Sequence, residues 1–167
     1  MEIGNIVRNC NLFVEGKGYA GKSEELTLPK LTLKTEEIKA AGMDVPLEID
    51  MGMEKIEASF DLHGYSPDVL KLWGLTDGKA PKLLFKAAQQ EMNGKVVPIV
   101  VDMQGMVKEV DMGAWKPGER AKTKFTVNLK YYKLSVGDKI IYEIDVLNMI
   151  RNINGKDQLK EIRDAIS

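Results

Sequence analysis

The sequence is short of the side chains that most catalytic and metal-binding proteins use. Its 167 residues include one cysteine, Cys10, and one histidine, His63. A single cysteine excludes an intrachain disulfide and a cysteine-based metal cluster. Metal binding needs several converging ligands, and the carboxylates of this chain follow no regular spacing. We therefore expect no cofactor, no metal and no enzymatic activity.

Long apolar runs are also missing. No stretch of about 18 apolar residues exists, so no membrane span is expected. The first residues have neither the apolar core nor the cleavage site of an export signal. Arg8 and Asn9 precede Cys10, where a lipid-modified cysteine would need small and apolar neighbours. We expect a chain made in the cytoplasm, without a membrane anchor.

An excess of positive charge is absent as well. Lysine and arginine total 24 against 25 for aspartate and glutamate, which gives a formal net charge of −1. Proteins that grip nucleic acid carry a basic excess that displaces counterions from phosphates. Any contact with DNA is therefore expected to be weak and non-specific.

What the sequence does contain is alternation with a period of two. Hydrophobic residues make up 44% of the chain, enough for a globular core. Apolar and polar residues alternate from Lys55 to Leu62 and from Lys124 to Tyr132, as in antiparallel strands with one face in water. The apolar face of the second strand is predicted to hold Phe125, Val127, Leu129 and Tyr131. Further strands are predicted at Asn9–Glu15, Glu24–Leu33, Lys82–Glu91, Lys95–Val101, Met106–Val110 and Lys139–Ile144.

Turn residues favour hairpins between these strands. Asn93-Gly94 suits a tight turn with positive φ, and Gly137 can close a second hairpin. Gly105 is expected to break or to bulge its strand. The predicted fold class is mainly β, a single domain over residues 1–167 that forms an antiparallel β-sandwich or barrel with one or two short flanking helices.

Two short helices are predicted to cover the sheet. Ser66-Pro67-Asp68 reads as an N-cap, a proline at the first helical position and an acid at the positive end of the helix dipole. Its predicted apolar face holds Val69, Leu70, Leu72 and Trp73. A C-terminal helix at about 157–166, which Asp157 can cap, is predicted to carry Leu159, Ile162 and Ile166 on one stripe.

The segment Thr35–Gly52 has no clear pattern. Gly42, Pro46 and Gly52 interrupt any regular element there. A connection of this length within a compact domain is usually functional or disordered. We therefore expect an extended, irregular loop at about 35–52.

A glycine pattern at Gly16–Gly21 matches the spacing of dinucleotide-binding loops. That motif requires a helix immediately after it, whose N-terminus holds the pyrophosphate. The residues that follow, from Leu26 to Pro29, alternate like a strand and end in proline. A hairpin turn is the interpretation we favour.

Candidate acid–base groups are equally weak. His63 ends a predicted strand, and the sequence shows neither an orienting partner nor a nucleophile for it. Glu24-Glu25 and Glu36-Glu37 are adjacent pairs, and adjacent strand residues point to opposite faces. Neither pair is expected to converge on one site.

Several residue strings, taken in order, resemble a known family. The chain resembles the major tail tube protein of contractile-tailed bacteriophages, and it is equally similar to the tube subunit of R-type bacteriocins. The resemblance extends from about Asn9 to Ile166. The strings are Asn11–Val14, Leu26–Leu31, Gly42–Asp44, Ile49–Gly52, Lys108–Asp111, Tyr131–Leu134 and Tyr142–Asp145.

The resemblance implies a β-sandwich or barrel related to the tube protein of type VI secretion systems. It also implies hexameric rings that stack into a hollow tube inside a contractile sheath. Implied partners are further copies of the chain, sheath and baseplate proteins, and a tape-measure protein that sets tube length. The particle would be a virion tail or a bacteriocin, assembled in the bacterial cytoplasm, and DNA would pass through a phage tube without being held.

Two groups of residues are predicted to serve that role. An arm that reaches a neighbouring subunit or ring is expected to hold Glu36, Glu37, Ile38, Met43, Asp44, Val45, Leu47, Ile49 and Met51. The channel face is expected to hold Glu57, Ser59, Asp61, Thr126 and Asn128. Lys55, Lys124 and Lys130 share those predicted faces, which weakens the expectation of a neutral to acidic channel.

Three alternatives stay open from the sequence. A monomeric β-barrel would need an apolar ligand pocket, and an enzyme would need convergent carboxylates with perturbed pKa values. A tube of a type VI-like secretion system fits the same strands. The long loop could also lie on the surface of the monomer without ordered contacts to other copies.

Overall fold

The computed structural model describes residues 4–76 and 78–167, and nearly all its regular structure is antiparallel strand. In chain order the strands are β1 (Ile6–Val14), β2 (Lys17–Gly18), β3 (Leu26–Thr27), β4 (Leu33–Ile38), β5 (Leu47–Met53), β6 (Glu57–His63), β7 (Lys82–Gln90), β8 (Val96–Asp111), β9 (Lys122–Val136), β10 (Lys139–Asp145), β11 (Ile150–Ile153) and β12 (Lys156–Asp157). The helices are α1 (Pro67–Leu70) and α2 (Lys160–Ile166). The predicted class is confirmed, but the described strands do not close into a barrel.

Strand β9 organises the main sheet. Its first half pairs with β6 and its second half with β10, while β8 follows its other edge along both halves. Phe60 of β6 stacks on Phe125 of β9, with ring centroids 5.0 Å apart. Phe60 also meets Phe85 of β7 edge-on at 6.4 Å, although β6 and β7 are not paired. The sheet therefore folds over on itself, and the core lies between its two layers.

A bulge near the middle of β8 and β9 makes this fold possible. The register passes from Gln104 opposite Tyr131 to Gly105 opposite Leu129, which leaves one extra residue in β9. Such an insertion bends a strand and shifts its side-chain alternation by one. A register shift does occur at Gly105, but its extra residue lies in β9 and not in the strand of Gly105, and the two segments predicted on either side of Gly105 form the single strand β8.

The same bulge corrects the predicted apolar face of β9. Tyr132 is buried in the core, at 4% exposure, in place of Tyr131. The Tyr131 hydroxyl instead donates a hydrogen bond of 2.9 Å to Glu143 Oε2. Partial burial, together with this bond, raises the pKa of Tyr131 well above its usual range. Alternation holds up to Leu129 and is out of phase beyond it.

Both helices lie close to their predicted positions, but several side chains predicted on their apolar faces are exposed. Val69 of α1 is fully buried, but the Ser66 side chain makes no capping hydrogen bond and Trp73 is 60% exposed. Helix α2 begins at Lys160, and Ile162 and Ile166 of its predicted stripe are 55% and 70% exposed, so they do not pack against the sheet. The stripe on α2 is therefore an apolar surface and not part of the core.

The segment predicted as irregular is a β-hairpin. Strands β4 and β5 pair with each other in a sheet of their own, joined by the turn 39–46. We call residues 33–53 the arm. Gly42 and Pro46 lie in its turn, and Gly52, with φ of 105°, lies where the register shifts. These glycine and proline residues thus lie in the turn and at a bulge of one hairpin.

The arm continues the β3–β6 pair beyond the end of the main sheet. Leu26 lies opposite Phe60 within that pair, and Leu33 lies opposite Met53 at the base of the arm. Between them, the Glu54 N–H donates a 2.9 Å hydrogen bond to the Thr32 carbonyl. The register is the same throughout, so the arm projects from the end of β6 at which Glu57 lies.

Candidate functional site

The arm presents an apolar face with no cover. Ile38 lies opposite Leu47 and Glu36 opposite Ile49, and residues directly opposite each other share a face of the hairpin. Every residue of β4 is exposed, and so is every residue of β5 before Met53. Leu47 is 59% exposed. Apolar side chains in this arrangement are typical of a surface that another chain covers.

The other predicted arm residues lie around this face. Glu37 pairs with Glu48 on the opposite face, as expected for a neighbour of Glu36. Met43, Asp44 and Val45 lie in the turn, and Val45 is 69% exposed. Met51 is also exposed. The structure brings the predicted residues together on one projecting element, and their contact with another subunit stays a prediction.

An ion pair ties the arm to the body of the molecule. Arg151 of β11 donates a 2.7 Å hydrogen bond from Nη2 to Asp50 Oδ2. The Arg151 side chain is 13% exposed, so the rest of the molecule covers most of its surface. This bond and a second one from the Gly52 N–H hold the pKa of Asp50 below its usual range. The ion pair thus links β5 of the arm to β11 of the main sheet.

Replacing Arg151 with methionine is expected to loosen the arm while the main sheet stays folded. The base of the arm continues the β3–β6 pair, and the ion pair at Asp50 restrains the arm farther along β5. Limited trypsin digestion should cleave after Lys39, in the exposed turn, several-fold faster than in the parent protein. Asp50→Asn, which keeps the shape and removes the charge, should give an intermediate rate. Equal cleavage rates for all three proteins would contradict a tethering role.

The predicted channel residues lie on the outer surface of β6 and β9. Glu57 is opposite Asn128, and Ser59 is opposite Thr126, so these four side chains form one patch. Glu57 makes ion pairs with Lys108 and, at 3.1 Å, with Lys55. The hydrogen bonds from these two lysines lower the pKa of Glu57, which keeps the carboxylate ionised. The patch mixes both signs of charge.

Asp61 does not belong to that patch, and this expectation is corrected. It is 4% exposed, beneath the segment that precedes β3. Its Oδ1 accepts hydrogen bonds of 2.9 Å from the backbone N–H groups of Glu24 and Glu25, and Lys122 Nζ lies 2.9 Å from its Oδ2. Burial opposes ionisation, but the N–H of Glu25, the ammonium of Lys122 and the N–H of Glu24 together lower the pKa of Asp61. Asp61 is therefore a structural anchor.

Asp61→Ala is expected to destabilise the fold by about 2–4 kcal/mol, because it leaves buried donors without their charged acceptor. The pKa of Asp61 is depressed in the folded state, so its stabilisation is present above the unfolded value of about 3.9 and is lost as the pH falls below it. Urea unfolding at pH 7 and pH 3 measures both effects. The difference between parent and variant should shrink at pH 3, and an equal difference at both pH values would contradict the assignment.

The remaining sequence candidates take structural roles. Gly18 lies opposite Phe13 in the β1–β2 hairpin, so the turn interpretation of the glycine pattern is confirmed. His63 ends β6, and its Nε2 lies 3.1 Å from Glu24 Oε2, a partner that the sequence did not indicate. No group of three or more metal-ligating side chains occurs within residues 4–76 and 78–167.

One prominent surface was missed by the sequence reasoning. Trp115 is 82% exposed in the irregular connection between β8 and β9. Its Nε1 donates a hydrogen bond to the Tyr65 hydroxyl, with ring centroids 6.5 Å apart. The available signal was a tryptophan within the polar, glycine-rich stretch from Met112 to Arg120.

These features define a mainly antiparallel β protein with a projecting hairpin and several exposed apolar surfaces. Residues 4–166 match the profile of the family described as "Phage tail tube protein FII". The chain belongs to this family, and the resemblance drawn from its residue strings is confirmed.

Two phage proteins agree with that assignment. The chain is 34% identical to the tail tube protein of Escherichia phage P2 over 160 residues, which cover 93% of each protein. It is 31% identical to the major tail tube protein of Serratia phage KSP20, over 94% of this chain and 92% of the relative. A chain in the 6-fold symmetrised cryo-EM structure of the anti-feeding prophage baseplate aligns with 78% of this chain and 92% of its own length, at 12% identity and a TM-score of 0.49. A search of the described helices finds none that is long and apolar enough to cross a bilayer.

Proposed function

We propose that this chain is the subunit of the inner tube of a contractile tail. Six copies close into a ring, the rings stack into a hollow tube, and a contracting sheath drives the tube through a target envelope. The observation that carries the proposal is the arm, whose apolar residues Ile38, Leu47 and Ile49 have no cover in the single chain. Membership of a tail tube family supports the same role.

The open edges of the main sheet favour lateral assembly. Strand β1 pairs with β7 along its length, but β2 covers its other edge only at Phe13 and Val14. The edge from Ile6 to Asn11 is therefore available to a strand of another copy. A neighbour that adds a strand here removes an aggregation hazard and extends the wall. A head-to-tail contact whose rotation closes gives a ring.

The channel would be lined by the polar patch of β6 and β9. Glu57, Ser59, Thr126 and Asn128 lie there with lysines that balance the charge. A surface of mixed sign does not hold phosphates, because each lysine or arginine contact adds to affinity for DNA. In this proposal the chain performs no bond chemistry, and its partners are the sheath, the baseplate and a tape-measure protein.

Negative-stain microscopy of the concentrated protein, combined with sedimentation velocity, tests the proposal. We expect rings or tubes with a central channel and a sedimentation coefficient that rises with concentration. Protein that remains monomeric at every concentration tested would contradict the proposal. It would favour the ligand-binding alternative, for which the cleft of about 350 Å³ beside the base of the arm is the place to look.

A further inference from the structure

We propose that the arm of one copy binds the surface around Trp115 on a copy in the next ring. This inference rests on the proposed function and names the surface that receives the arm. We call the receiving segment, residues 112–122, the Trp115 segment. The two surfaces lie at opposite ends of the molecule, they are both exposed and apolar, and their charges have opposite signs.

Strand β6 separates the two surfaces. It runs from Glu57, beside the base of the arm, to His63. The next residue, Gly64, donates a 2.7 Å hydrogen bond to the Ala121 carbonyl, which brings the Trp115 segment to the far end of the strand. Seven strand residues span roughly 20 Å. A contact between surfaces at opposite ends is head-to-tail, and such contacts between rings produce an open-ended stack.

Hydrogen bonds connect the receiving surface to Tyr65 within the single chain. Trp115 donates from Nε1 to the Tyr65 hydroxyl, and that hydroxyl in turn lies 3.4 Å from the Met112 carbonyl. Trp115 is 82% and Met112 42% exposed, so both side chains are available to a partner. Exposed tryptophans held in one position dominate the energy of many interfaces, because little side-chain entropy is lost on binding.

The opposite charges of the arm and the Trp115 segment favour contact between these two surfaces. The Trp115 segment holds Lys116 and Arg120 against Glu119, and its third basic residue, Lys122, is paired with Asp61. The arm holds Lys34 and Lys39 against Glu36, Glu37, Asp44 and Glu48, and its fifth carboxylate, Asp50, is paired with Arg151. Complementary fields steer the two ends together and disfavour contacts of one arm with another arm.

Disulfide trapping tests the contact directly. In a Cys10→Ser background, Val45→Cys is placed in the turn of the arm and Lys116→Cys in the Trp115 segment. The pair cannot close within one chain, because a disulfide needs Cα atoms within about 7 Å and the two surfaces lie at opposite ends. Mild oxidation should therefore give a ladder of covalent dimers, trimers and longer chains. The matched control pairs Val45→Cys with Val96→Cys in the exposed β7–β8 hairpin, and it should give no ladder.

A charge exchange tests the same contact without cysteine. Glu36→Lys with Glu37→Lys, and Lys116→Glu with Arg120→Glu, should each raise the concentration needed for tube formation about tenfold or more. All four changes in one chain restore opposite signs and should recover most of the loss. Lys139→Glu with Lys156→Glu, at exposed positions elsewhere, should change it little.

The outcomes separate this inference from the proposed function. If the parent protein forms rings or tubes, but the ladder is absent or equals that of the control, the arm binds elsewhere and only this inference fails. A disulfide dimer formed by Val45→Cys alone would show contact between two arms and would also overturn it. If the parent protein forms neither rings nor tubes, the proposed function fails first.

Discussion

Replacing Gly105 with alanine is expected to prevent the chain from reaching its folded state. A Cβ at this position would lie 2.1 Å from the Asn128 carbonyl oxygen and 2.7 Å from the Leu129 Cα. Both atoms are backbone, so no side-chain rotation relieves the clash. Relief would need separation of β8 from β9 at the bulge where the sheet folds over. We expect a loss of more than about 4 kcal/mol, which approaches the whole stability of an ordinary domain.

Soluble yield and urea unfolding measure this effect. Gly105→Ala should be insoluble or should lose its cooperative transition. Gly4→Ala is the matched control, because a Cβ at Gly4 meets no atom within 4 Å. A Gly105→Ala protein with parental stability would show that β8 and β9 do not approach each other as described.

Changing the apolar face of the arm is expected to abolish assembly and to leave the monomer intact. Leu47 and Ile49 are 59% and 38% exposed in the single chain, so serine at both positions costs the monomer little. If other copies cover them, the loss is about 3 kcal/mol or more for the two side chains. That loss raises the concentration needed for assembly by about a hundredfold or more.

Thermal melting and sedimentation velocity distinguish the two effects. The double serine variant should melt close to the parent temperature and should sediment as a monomer where the parent forms rings or tubes. Val96→Ser, at an exposed apolar position outside the arm, should assemble like the parent. A double variant that assembles at the parental concentration would exclude this face from the contacts between copies.

Most of the fold could be predicted from the period of the hydrophobic pattern. Strands β1, β6, β7 and β10 differ from their predicted bounds by at most three residues at either end. Alternation predicts them because each has one face on a core and one in water. It failed for Tyr131 and Tyr132 because a bulge inserts one residue into β9, and the alternation of apolar and polar residues does not show where such an insertion occurs. Gly105 indicated an irregularity at this position, but it did not indicate the register of β8 and β9 beyond it.

The arm shows a second limit of the pattern. Its strands alternate, as Leu47, Ile49 and Met51 show, but glycine and proline within the same stretch favoured an irregular loop. Alternation normally indicates a face packed on a core of the same chain, and the arm has none. The predicted arm residues do lie on one element, but its apolar face is exposed in the single chain, and composition alone does not indicate that.

Asp61 and Trp115 show where long-range contacts overrule local sequence. Asp61 sits at a polar position of an alternating strand, yet the backbone of residues 24–25 covers it and supplies its hydrogen bonds. Trp115 is an apolar residue that the chain leaves in solvent and holds with Tyr65. Neither partner is near in sequence, so no local pattern could have indicated either arrangement.

Hydrogen exchange of the amides, compared between monomeric and assembled protein, tests the central claim most directly. If sister copies complete the unfinished sheet, the amides of Ile6–Asn11 that point away from β7, and the amides of the exposed arm, exchange faster in the monomer than in rings or tubes. The buried amides of β9 should exchange slowly in both. Arm and edge amides that exchange equally fast in both preparations would show that the copies do not cover these surfaces, and the account would be wrong.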